Sequence, residues 1–245
     1  MECKTSIIRL GELTQAERNN LFLLHAQYYD NVIEEVFLKD LSDKNWVIII
    51  KDGRGQLQGF STIQLIWLKI EQKDHLYLFS GDTIIREEAR NMHALSGAFI
   101  HFMYALIENH HEIPIHWFLI TKGYRTYRFL PVYFKEYYPV RNKVVPGYHQ
   151  EVLNAVAFYK FGDQYNPQAH LICYKHEKDR LKPEHALINK GKLRNPEIEF
   201  FLAKNPLFYK GDELTCITDI CKSNFNPLVN RVWKGTSVNF NWEKS

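Results

Sequence analysis

The sequence predicts an α/β domain with a C-terminal elaboration. Three observations predict it. Residues 45–70 carry a β-hairpin signal, strand and helix patterns follow one another as far as residue 139, and 45% of 245 residues are hydrophobic, enough for a sizeable core. The elements follow in order. A short strand in "TSIIRL" leads to a helix that Thr14 caps, with Glu17 three residues later completing a capping box. Leu21, Leu24 and Tyr28 then form a helical stripe, and "NVIEEVFLKDLSDK" reads as a second helix. Val47 to Ile50 is a branched apolar run, Asp52-Gly53 and Gly55 mark a turn, and residues 59–70 form the partner strand. "HLYLFSGDTII" is a third strand. Ala94, Leu95, Ala98, Phe99, Phe102 and Leu106 recur at helical spacing, giving an amphipathic helix over 93–108. "IPIHWFLIT" is a buried strand, and "KGYRTYRFLPVYFKEYYP" is helical in pattern with Pro131 kinking it or starting a second helix.

Beyond residue 139 the pattern loosens. "HQEVLNAVAFYKFG" reads as a helix, residues 169–174 and 213–220 as strands, and the polar stretch 175–194 as a surface insertion between them. A short helix is expected around "PEIEFFLAKNP", with Phe200, Phe201, Leu214, Cys216 and Ile217 packing on the main sheet, and the tail from residue 234 onward is expected to fray. No linker divides the chain, so residues 1–245 are read as one domain.

Composition narrows the function. A net charge of +3 does not by itself imply nucleic acid, and no RNA-binding motif is present. Four cysteines without CxxC spacing read as reduced thiols in a cytoplasmic protein. The N-terminus is too charged for a signal sequence, and no apolar run approaches the ~20 residues of a membrane span. Zinc spacing, a P-loop, GxSxG and an intact GxGxxG are all missing, so no metal site is expected.

The joint between the third strand and the amphipathic helix raises the chemical question. It reads Arg86-Glu87-Glu88-Ala89-Arg90-Asn91-Met92-His93 and has no glycine. A helix N-terminus offers unsatisfied N–H donors and a positive dipole end, which suits phosphate. The element order, Gly59 opening the second hairpin strand, and Glu87-Glu88-Ala89-Arg90-Asn91-Met92-His93-Ala94 laid over Pro-Glu-x-Arg-Gly-x-Gly-Ile together resemble the GCN5-related N-acetyltransferase (GNAT) superfamily. Glu88 and Arg90 match that pattern, and Asn91 and His93 replace its glycines. Asn91 tolerates left-handed backbone, whereas His93 does not do so easily. Thr126, Phe129, Val132 and Tyr133 share the spacing of the family's Asn-x-x-Ala-x-x-Leu-Tyr, with only the tyrosine identical.

The resemblance covers roughly residues 5–139, with the last two strands at 169–174 and 213–220. It implies a GNAT-like mixed, mostly antiparallel central sheet flanked by helices. It also implies an acyltransferase that takes an acyl group from a phosphopantetheine thioester to an amine or a hydroxyl. The donor would be acyl-CoA or an acyl carrier protein used as cosubstrate, with no permanently bound cofactor. Ile84, Ile85, Arg90, Asn91, Met92, His93 and Ala94 would hold the donor. Tyr133 would protonate the leaving thiolate, with Tyr124 and Tyr127 as rivals on the same segment. Asp82 would act as general base, with Glu87 and Glu88 following it, and His116 would relay a proton. Each also fits a structural role: Tyr133 as a core tyrosine, Asp82 as a turn former, His116 as a satisfied core histidine. Lys122, Arg125, Arg128, Lys135, Arg141 and Lys143 form a basic stretch that would dock an acidic carrier protein or coenzyme A phosphates, or simply face solvent. The alternative function is a non-catalytic binding module on a decayed scaffold of this kind.

Overall fold

A computed structural model describes residues 3–89, 93–174, 178–188 and 190–242. The chain order is β1 (Cys3–Arg9), α1 (Gln15–Tyr28), β2 (Tyr29–Asp30), α2 (Glu34–Ser42), β3 (Trp46–Asp52), β4 (Leu57–Ile70), β5 (Lys73–Ile85), α3 (Ala94–Asn109), β6 (Ile115–Thr121), α4 (Tyr124–Tyr127) and α5 (Phe129–Tyr133). It continues with α6 (Gly147–Phe161), β7 (Tyr165–Asn166), β8 (Leu171–Ile172), β9 (Arg180–Leu181), α7 (Pro183–Ala186), α8 (Pro196–Lys204), β10 (Glu213–Asp219), α9 (Pro227–Gly235) and β11 (Val238–Asn239). The fold class is mixed α/β, with a mostly antiparallel central sheet between helices. Strand order is β11-β1-β3-β4-β5-β6-β10-β8-β7, and β2 pairs with β9 in a separate ribbon.

Both sheet faces are covered, which explains why the strands read as near-continuous apolar runs rather than alternating ones. Along β3, Ile48 and Ile50 enter the core under α3, while Val47 and Ile49 meet α1 and α2. Along β5, Leu76 and Leu78 face α3, and Tyr77 and Phe79 face α6. The capping box forms as expected: the Glu17 N–H donates to Thr14 Oγ1, and the Thr14 N–H donates to Glu17 Oε2. Pro131 lies in the first turn of α5, where a missing N–H costs nothing, and the helical pattern breaks into two short helices at Arg128.

The C-terminal third packs as expected. Leu214, Cys216 and Ile217 are buried on β10, which pairs with β6, and Phe201 is buried on α8. Two expectations are corrected. The tail does not fray at residue 234: β11 pairs with β1 through Thr5 and Ser6, and the rings of Phe240 and Trp242 pack on Trp46. Nor is 175–194 merely a surface insertion. In its described part β9 pairs with β2, and Asp179 forms an ion pair with Lys122 on the main body.

Candidate active site

The site originates in how two strands separate. β5 and β6 run parallel from Leu76↔Ile115 to Ser80↔Leu119 and then stop pairing. Beyond that point β5 keeps to β4 as far as Ile85↔Gly59, while β6 keeps to β10 as far as Thr121↔Leu214. Gly59 permits the close approach on one side, since a Cβ there would lie 2.7 Å from the Ile84 carbonyl oxygen. A bulge accompanies the parting. Phe60 pairs with Ile84 but Thr62 with Gly81, so Asp82 and Thr83 both stand opposite Ser61. Asp82 takes left-handed backbone there (φ 39°), a conformation that a non-glycine residue rarely holds without a reason.

Two cavities fill the gap. The larger, about 350 Å³, lies among Ile84, Ile85, the start of α3, α4, α5 and the β2/β9 ribbon. Its walls are mostly apolar, with Arg125, Arg128, His93 and His185 at its polar margins. The smaller, about 120 Å³, holds His25, Asp40, Lys44, Asp82, Lys122, Lys160, Lys178, Asp179 and Glu213. Tyr29, Thr83 and Thr126 line both, so the cavities meet across these three side chains.

Of the residues expected to hold a donor, Ile84, Ile85, His93 and Ala94 line the larger cavity. Arg90, Asn91 and Met92 lie outside the described residues. His93 corrects an expectation: it adopts the left-handed backbone (φ 49°) that it was not expected to take easily, and its side chain makes no capping hydrogen bond. The first turn of α3 thus opens onto the cavity through His93, Ala94, Leu95 and Ser96.

Tyr133 lines the same cavity from α5, nearly buried. Burial raises its pKa, partly offset by a hydrogen bond with the Ser96 side chain. Its rivals are placed elsewhere. The Tyr127 hydroxyl donates to the Pro139 carbonyl in the core, and Tyr124 lines neither cavity.

Asp82 faces the smaller cavity, with its side chain 22% exposed. Burial, and then the charge of Asp40, push its pKa up from 3.8 to about 6. The Thr62 hydroxyl donates to its Oδ2 at 3.4 Å, and His25 Nε2 stands 4.0 Å from Oδ1. Burial pushes His25 down to about 4, so its imidazole is neutral near pH 7. Stacking on Tyr29, with ring centroids 4.4 Å apart, fixes the ring's orientation.

His116 is not at this site. It points to the α6 face near the start of β6, where Nε2 meets His75 Nδ1 at 3.0 Å and Nδ1 meets Asp219 Oδ1 at 2.8 Å. His149 holds the other Asp219 oxygen at 3.1 Å. It is thus the satisfied core histidine, and its position on β6 falls before the strands part. Lys122 is also misplaced by the sequence reading. Rather than joining an exposed basic face it is largely buried, 2.6 Å from Asp179 and 3.0 Å from Glu213. Burial alone would lower its pKa, but Glu213 and Asp179 hold the ammonium well above its ordinary range. Arg125 and Arg128 remain exposed at the rim of the larger cavity, while Lys135, Arg141 and Lys143 line neither.

The residues missed from sequence include His25, Tyr29, Asp40, Lys44, Lys160, Lys178, Asp179 and Glu213. Only His25 left a local signal: it lies one residue past Leu24 on the buried side of an amphipathic helix. Among the described residues no group of three or more His, Cys, Asp or Glu is placed to hold a metal ion, and no helix is long and apolar enough to cross a membrane.

No protein-family model and no curated protein sequence matches the chain. Its structure is similar to solved structures of N-acyltransferases, GNAT-family N-acetyltransferases among them. One is a probable N-acyltransferase from Enterococcus faecalis V583, 14% identical over 56% of this chain and 33% of that one, with a TM-score of 0.43. Another is a GCN5-related N-acetyltransferase from Anabaena variabilis, 17% identical over 52% of this chain and 31% of that one, with a TM-score of 0.39. A third is a GNAT-family N-acetyltransferase from Escherichia coli in complex with CoA, 11% identical over 53% of this chain and 69% of that one, with a TM-score of 0.37. The chain thus spans only about a third of the length of the first two.

Proposed function

We propose that this protein is an acyltransferase that moves an acyl group from a phosphopantetheine thioester to an amine. The observation that carries the reading is the pair of joined cavities at the parting of β5 and β6, one apolar and opening on a helix start, the other lined with charge. The apolar cavity suits a pantetheine arm and its acyl chain. Arg125 and Arg128 at the rim suit the phosphates of coenzyme A, or an acidic carrier protein presenting the same arm.

The chemistry follows from the two sides. An amine in the smaller cavity arrives as an ammonium and gives a proton to the Asp82 carboxylate, whose raised pKa makes it a serviceable base near neutrality. The amine nitrogen attacks the thioester carbonyl carbon. The C–N bond forms, the nitrogen loses its second proton to solvent, and the C–S bond breaks as the tetrahedral intermediate collapses. Tyr133, kept protonated by burial, gives its proton to the departing thiolate and recovers one from solvent. His25 beside Asp82 supplies a neutral imidazole where His116 had been expected to serve.

The test is direct. Thermal melts with acetyl-, octanoyl- and palmitoyl-CoA, and with an acyl carrier protein loaded with the same chains, should show stabilisation by at least one donor. A ligand at 100 times its dissociation constant adds about 2.7 kcal/mol. Thiol release in the presence of amines should then follow. Absence of any donor-induced shift would leave the chain a binding module and sink the proposal.

A further inference from the structure

The charges of the smaller cavity do not all pair internally. Asp40 pairs with Lys44, and Lys122 with Asp179 and Glu213. Among the described residues Lys160 and Lys178 have no carboxylate within ion-pair distance, and Asp82 has only the neutral His25 at 4.0 Å. Both free ammonium groups rest on rings instead: Lys160 Nζ lies 5.3 Å from the Phe79 centroid, and Lys178 Nζ 4.3 Å from that of Tyr174. Burial and the neighbouring Lys44 ammonium hold the Lys160 pKa down, as expected for a cation lacking its anion. Two further atoms in this lining lack partners among the described residues: His25 Nδ1 and Glu213 Oε2 are buried there with no hydrogen bond, although buried polar atoms nearly always have one.

The lining carries four carboxylates (Asp40, Asp82, Asp179, Glu213) and four ammonium groups (Lys44, Lys122, Lys160, Lys178), a formal balance of zero. A ligand that completes it is neutral overall but carries separated charges. We infer that the acceptor is a small zwitterionic amine, its amino group at Asp82 and a carboxylate or phosphate between Lys160 and Lys178. The inference rests on the acyl-transfer reading of the same site. Size agrees: about 120 Å³ admits a few heavy atoms, and an adjoining cavity of about 200 Å³ beside Val32, Ile33, Val36 and Phe37 accepts an apolar remainder. A polyamine would place a second cation against Lys160 and Lys178 and is rejected by like charge.

Donor binding is measured first, by the melts described above without acceptor, so that failure of the donor reading is seen separately. Acceptors are then compared in pairs differing only in the anion: glycine with glycinamide, ethanolamine phosphate with ethanolamine, and putrescine as the dication. The expected result is kcat/KM at least tenfold higher for an anion-bearing member than for its partner lacking the anion. The amino acid and amine phosphate arms decide which anion is used. Lys160→Met and Lys178→Met should each lower that preference about tenfold, and their melts report whether they fold. Retained donor binding with equal or better use of glycinamide, ethanolamine or putrescine, with no use of either anion-bearing amine, or with a preference unchanged in both variants, overturns the inference.

Discussion

Replacing Asp82 with asparagine should make the protein more stable and, on the proposed mechanism, abolish acyl transfer. Asp82 sits in a charge-lined cavity with its pKa raised from 3.8 to about 6 by burial and Asp40. A shift of about 2 units at 1.36 kcal/mol each means that the ionised carboxylate costs the folded state about 3 kcal/mol. The sign follows from proton binding. Between pH 4 and 6 the folded protein holds this proton more tightly than the unfolded chain, so the group's contribution worsens as pH rises through that window and is constant above it. Asparagine removes the charge, keeps an oxygen for the Thr62 hydroxyl, and tolerates the left-handed backbone at this position. His25, depressed to about 4, acts with the opposite sign: its contribution is lost as pH falls from 6.5 towards 4. It is present in both proteins and largely cancels from their difference. Paired melts from pH 4 to 8.5 should therefore show a gap near zero at the acid end that widens to about 3 kcal/mol, or roughly 6–12 °C, at pH 8. Equal stability at pH 8, or a gap that does not change with pH, would refute the claim that Asp82 is held as a costly base.

Other perturbations test separate parts of the argument. Tyr133→Phe should lower kcat by about 10²-fold or more while leaving donor-induced stabilisation intact, as read by steady-state kinetics and melts. Gly97→Ala should cost about 1–3 kcal/mol, since its Cβ would lie 2.6 Å from the Thr236 hydroxyl, and a Thr236→Gly partner should recover most of that loss in denaturant titrations. Phe201→Ala should cost about 3–5 kcal/mol, because the ring is fully buried against Tyr127 and Phe208; an unchanged urea midpoint would argue that α8 is an appendage.

Strong local signals carried most of the fold. The hairpin, the Thr14–Glu17 box, the amphipathic stripe of α3 and the apolar strand β6 are each specified by neighbours in sequence. Strands β2, β9 and β11 were invisible because two residues cannot display a period. Placement beside the cavities was legible where it depends on position along an element, as with Asp82 at the end of a strand and Tyr133 on the segment after β6. It was hidden where it depends on a meeting of distant segments. Lys122 looked like surface because its partner Asp179 is 57 residues away. His116 and Leu119 share a strand, and sequence alone could not show that β5 and β6 part only after Ser80.

The margins of the sheet carry a consequence for assembly. A long unpaired strand edge is a template on which other chains can polymerise. Here the outermost strands, β11 and β7, are two residues each, too short to seed such growth. On one side the seven-residue β1 stands just behind that guard, with Ile7 and Ile8 in its length. The guard is fastened by Phe240 and Trp242, whose rings pack on Trp46. Loosening those two aromatic side chains would bare the outer edge of β1, the kind of open edge on which strand addition builds fibrils or swapped dimers.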